Sequence, residues 1–98
     1  MNLKEICNEI LDIGEGLEYG AISFSYDKLA SAMKMGHPAE FIMDALDEIF
    51  LKVRDGITPE KEEIDTLLKA LKRIKRNFKI KELSNPIMEL TEYLNQMG

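Results

Sequence analysis

The chain has 98 residues, of which 45% are hydrophobic and 32% charged, and it carries a net charge of −5. That apolar content excludes a disordered chain, and the length suits a single domain over residues 1–98 with a modest core. The acidic balance argues against a general nucleic-acid coat. One cysteine, Cys7, excludes an internal disulfide, and no apolar run approaches the roughly 18 residues of a membrane span.

Asn2, with Glu5 three residues on, predicts an N-terminal cap and a helix over 2–18. Leu3, Ile6, Cys7, Ile10, Leu11 and Ile13 recur there at helical spacing, and Leu17 extends the stripe if the helix survives Gly14 and Gly16. Each glycine costs about 1 kcal/mol relative to alanine, which leaves the end of this helix open. Acids interrupt the apolar residues throughout, unlike the centre of a signal peptide, so the expectation is a cytoplasmic protein.

Ser23 or Ser25 can cap a second helix over 26–35, with Leu29, Ala30, Ala32 and Met33 on its apolar side and Gly36 ending it. His37-Pro38 opens a third over 38–55, with proline at the first helical position, where its missing N–H has no partner to lose. Phe41, Ile42, Ala45, Leu46, Ile49, Phe50 and Val53 follow in the clearest amphipathic pattern of the chain, and Gly56 stops it. Thr58-Pro59 repeats the cap-plus-proline signal for a helix over 59–80, carried by Ile64, Leu67, Leu68, Leu71, Ile74 and Phe78. Ser84-Asn85-Pro86 starts a last helix over 86–97, with Ile87, Leu90, Tyr93, Leu94 and Met97 inward. Nothing has the alternation and hairpin turns of a sheet, although AISFS could form a short extended stretch. The predicted fold is therefore all-α, a compact bundle of four to five short helices. Short connections make neighbours antiparallel, and segments 38–55 and 59–80 should supply most of the core.

Charge is sharply segregated. Seven of the thirteen basic residues lie in the thirteen positions from Lys69 to Lys81, KALKRIKRNFKIK, with no acid among them. Residues 1–68 carry −9 and residues 82–98 carry −3. At about 100° per residue, Lys69, Lys72, Arg73, Lys75, Arg76 and Lys79 share one side of the helix, beside its core face. Such a stripe can dock phosphates, an acidic protein or an anionic membrane surface. Helix electrostatics offers a plainer account. The same helix begins Glu60, Glu62, Glu63 and Asp65, which its dipole favours, and Asp65 stands four residues before Lys69. The dipole explains one or two cations in the last turn, not seven over more than three turns. Glu5, Glu9, Asp12 and Glu15 form an acidic stripe on the first helix. It can be a solvated face, or the complement of the basic stripe, within one molecule or between two copies in a two-fold dimer.

The segment YGAISFSY holds Tyr19, Phe24 and Tyr26. It reads either as a loop folded over the core or as an exposed aromatic contact for a protein partner or a second copy. Asp27–Val53 has the outline of a helix-turn-helix, but Glu40, Asp44, Asp47 and Glu48 would repel phosphates. Nucleic acid, if bound, therefore falls to the basic helix, through its backbone. Met33, Met35 and His37 are explained by packing and capping rather than by a soft metal. Cys7, on an apolar stripe, reads as a buried inert thiol. No nucleophile–base pair, phosphate loop or metal-ligand spacing is present, so no catalytic residue, metal or cofactor is expected. The functional expectation is a small non-enzymatic interaction or regulatory protein that can self-associate as a homodimer. The alternative is a nucleic-acid-associated protein that grips the phosphate backbone through Lys69–Lys81.

Overall fold

Asn2 starts the first helix as its side chain predicts: Oδ1 accepts the Glu5 N–H at 2.9 Å, and the amide donates back to Glu5 Oε1 at 3.2 Å. The computed structural model describes residues 2–27 and 36–97. Among the described residues there are four α-helices and no strand: α1 (Leu3–Glu18), α2 (Pro38–Arg54), α3 (Lys61–Phe78) and α4 (Ser84–Gln96). A 3-10 turn, Lys81–Leu83, leads into α4. The helix predicted over 26–35, with its Leu29, Ala30, Ala32 and Met33 stripe and Met35, lies from residue 28 onward outside the described residues; Tyr26 and Asp27 are not helical.

α1 runs through both of its glycines because each serves a close approach. A Cβ on Gly14 would sit 3.3 Å from Ile42 Cγ2, so its absence lets α2 lie close. A Cβ on Gly16 would meet Ile22 Cδ1 at 2.7 Å, where the chain leaving α1 folds back and Ile22 N–H donates to the Gly16 carbonyl. α2 begins as expected, with His37 Nδ1 accepting the Ala39 N–H at 3.1 Å and Pro38 in the first turn.

α3 differs from expectation at both ends. Thr58 does not cap it. Glu60 does so instead, donating its N–H to Glu63 Oε1 at 3.0 Å, while Lys52 of α2 bonds the same carboxylate at 2.6 Å. The helix then stops at Phe78 rather than at residue 80. Lys79 takes a left-handed conformation with φ 55° and ψ 48°, and both Lys79 and Ile80 donate their N–H to the Lys75 carbonyl. This turn swings Ile80 and Leu83 fully inside. α4 consequently starts at Ser84, two residues earlier than predicted, and holds Pro86 buried in its first turn, where proline is tolerated.

Each helix packs against two neighbours. α1 touches α2 and α4, α3 touches α2 and α4, and neither diagonal pair approaches. Contacts fix the directions: Gly14 beside Ile42, Lys52 with Glu63, Phe41 stacked on Phe78, and Glu9 with Asn85. All neighbours are antiparallel, which is the up-down-up-down arrangement of a four-helix bundle. The radius of gyration, 13.3 Å, is that of a compact chain of this length. Among the described residues, segments 38–55 and 59–80 supply eleven of the nineteen buried hydrophobic side chains, the majority expected of them. α1 nevertheless contributes as many as α3, with Leu3, Ile6, Cys7, Ile10, Ile13 and Leu17, whereas α2 contributes Pro38, Ala39, Ile42, Leu46 and Ile49. Phe41, Ala45 and Val53 of α2 lie on its flanks and stay half-exposed. Among the described residues no helix is long and apolar enough to cross a membrane.

Candidate polyanion interface

The inward arc of α3 buries Leu67, Leu68, Leu71, Ile74 and Phe78, leaving the opposite arc to its cations. The structure divides the six predicted stripe residues into three groups. Lys69 Nζ is paired with Asp65 Oδ2 at 2.9 Å, a solvent-exposed pair of the kind that contributes little to stability. Arg73 turns toward α2, where it lines a groove of about 320 Å³ with Asp44, Glu48 and the apolar side chains of Phe41 and Ile74. Lys72, Lys75, Arg76 and Lys79 line a depression of about 490 Å³ between α3 and α4, completed by Ile87. No carboxylate lines it, and among the described residues none of these four cations forms an ion pair.

Lys79 also borders a second depression, of about 430 Å³, with Ser23, Phe24, Ser25, Lys81 and Glu82. The left-handed turn at Lys79 is what brings Lys81 there. The two depressions share one lysine, so the basic surface is a track that follows α3 and then turns onto the loop after α1. Periodicity on a straight helix does not reveal this corner, although Lys81 closes the predicted basic segment Lys69–Lys81.

That loop is held by α3 itself. Ser25 N–H donates to the Phe78 carbonyl at 2.9 Å. Phe24 is half-buried, with ring centroids 4.8 Å from His37, 5.3 Å from Tyr26 and 6.1 Å from Phe78, all edge-on. Tyr26 is 48% exposed and meets Phe78 at 5.6 Å. Phe24 and Tyr26 thus form one cluster around the end of α3. Tyr19, 82% exposed at the end of α1, makes no ring contact among the described residues. The hub of the cluster is Phe78, which the pattern marked only as a core residue.

The acidic stripe does not neutralise the basic one. Glu5, Asp12 and Glu15 are exposed on α1, which stands diagonally across the bundle from α3. Glu9 is engaged instead at the seam with α4, where the Asn85 amide donates to both of its oxygens at 3.0 Å and to Glu89 Oε1 at 2.7 Å. Glu89 Oε2 is buried and accepts no hydrogen bond. Burial first, then the hydrogen bond and negative charge of Glu9 and the charge of Glu92, push the Glu89 carboxyl above its usual range.

Two other side chains are accounted for locally. His37 spends Nδ1 on capping α2. Cys7 is buried, and burial pushes its thiol up to about 11, which removes the thiolate a nucleophile needs at neutral pH. Comparison with protein-family models, with curated proteins and with solved structures finds no match to this chain.

Proposed function

We propose that this chain is a small non-enzymatic interaction protein whose working face is the basic crevice between α3 and α4, and that its partner is anionic. One observation carries the reading: Lys72, Lys75, Arg76 and Lys79 line a single recess with no carboxylate among them, in a chain of net charge −5. The helix dipole favours Lys75 and Arg76 in the last turn of α3, but it gives no reason to crowd two further cations into the same recess. Like charges held together repel, so the arrangement gains stability from an anion rather than from the fold. A cytoplasmic setting belongs to the same proposal and is supported by the lone thiol.

Retention of the full chain on phosphocellulose tests it. Binding at low ionic strength should collapse with modest salt, and Lys72→Ala/Arg76→Ala should weaken it. Passage through the column at low salt would overturn the reading.

A second reading, self-association, is favoured by stripes of opposite charge. Glu5 to Glu15 on α1 spans ten helical steps, about 15 Å, and Lys69 to Arg76 on α3 spans seven, about 10 Å. The diagonal placement of the two helices changes the form this association would take. A two-fold pair needs both stripes on one face, whereas stripes at opposite corners join copies head to tail.

A further inference from the structure

Resting on the basic-face reading, we infer that the anionic partner is a single-stranded nucleic acid, held by its phosphates along Lys72–Lys81 and meeting the Phe24–Tyr26 cluster where the track ends. Three features of the track select this ligand.

The first is its corner. The cations of the first depression lie along α3, but Lys81 is reached only through the left-handed turn at Lys79. A duplex is stiff over about 150 base pairs and cannot follow a bend within a few phosphates, while a single strand can. The second is concavity. The four cations line a shallow depression between two helices with Ile87 beside them, whereas duplex recognition places a protruding helix or ribbon in a groove. Carboxylates also bound the track, with Asp65 on Lys69 at one end and Glu82 beside Lys81 at the other. A second phosphate strand alongside the first would have no row of cations to meet.

The third is what the far end offers besides charge. Ser23 and Ser25 are exposed in the second depression, where their hydroxyls can donate to phosphate or sugar oxygens. Phe24 lines the same depression, and the half-exposed Tyr26 ring rests edge-on against it. A base leaving the track can stack on such a platform, an interaction available to every base and to no carboxylate side chain. A polyanion without rings, such as polyglutamate, would use the cations and leave the aromatics idle.

The experiment is anisotropy of a labelled twelve-nucleotide oligo-dT, the duplex of the same length, and a polyglutamate peptide, each titrated with the full chain across a salt series. The single strand should bind most tightly. Five cations, Lys72, Lys75, Arg76, Lys79 and Lys81, set an upper bound of about −3.5 on its slope of log affinity against log salt. Lys79→Gly should reduce that slope by about 0.7 while raising the melting temperature by about 4 °C, because glycine accepts the left-handed turn that lysine adopts under strain. Loss of binding in a more stable protein cannot be a folding defect. Tyr26→Leu should weaken the single strand about tenfold and leave phosphocellulose retention intact, and Tyr26→Phe should restore affinity. Equal or tighter binding of the duplex or of polyglutamate, or indifference to Tyr26→Leu, would overturn the inference while column retention still upheld the basic face.

Discussion

Cys7 sits among Leu3, Ile6 and Ile10 with 6% of its surface exposed, and its thiol is pushed up to about 11. At pH 8 only about one molecule in a thousand then carries the thiolate that reacts. A thiol reagent such as DTNB should therefore modify the native chain at least a hundredfold more slowly than the same chain in denaturant; equal rates would show that α1 does not bury this face. Apolar spacing on α1 made that burial legible in the sequence. Lys79 was not legible in the same way. Glycine and asparagine announce a left-handed cap by their freedom to adopt it, and a lysine followed by isoleucine does not. Its conformation comes from the burial of Ile80 and Leu83, which only the assembled core can demand.

At the level of elements, the seam between α1 and α4 is the place where pH should be felt. The Glu89 carboxyl is raised, so the folded state holds its proton more tightly than the unfolded chain does. Its stabilising contribution is therefore complete below the ordinary value of 4.5 and is lost as pH rises through the folded value. Glu63 runs the other way. Its hydrogen bonds from Lys52 and from the Glu60 N–H lower it, so its contribution is lost as pH falls. Glu89→Gln should accordingly melt at a higher temperature than the unmodified chain at pH 7, with the gap closing toward pH 4; a variant that melts lower at pH 7 would show that the carboxylate is held favourably after all. Helix starts at Asn2 and His37 were readable because one side chain supplies each cap. The start at Glu60 was harder to read, since its partner carboxylate is also shared with Lys52 from another helix.

For the whole molecule, spacing placed the cations on one helix and the acids on another, but neither the division of the cations among three surfaces nor the placement of the two helices at opposite corners was legible. Which helices become neighbours is decided by long-range packing, such as the fit of Gly14 against Ile42, and periodicity carries no information about it. The placement makes self-association testable by complementation. A chain carrying Lys72→Gln/Arg76→Gln/Lys79→Gln loses half of its six stripe cations and keeps its acidic stripe, and one carrying Glu5→Gln/Glu9→Gln/Asp12→Asn loses three of its four stripe acids and keeps its basic stripe. Mixed at low salt, the two should sediment as a pair that grows no further, while the unmodified chain continues past the dimer. Exposed ion pairs contribute at most about 1 kcal/mol each, so the association should be weak and vanish at high salt. A chain that stays monomeric at millimolar concentration would remove this reading. The bond from Ser25 N–H to the Phe78 carbonyl has a different kind of consequence. It ties together residues fifty-three positions apart, at the turn that also aims Lys79 and Lys81. When the last turn of α3 frays, the aromatic loop loses its anchor and the track loses its corner in the same event. The proposed interface would therefore be present or absent as a whole, and a ligand that spans it would act as a clasp, slowing the local unfolding that would release it.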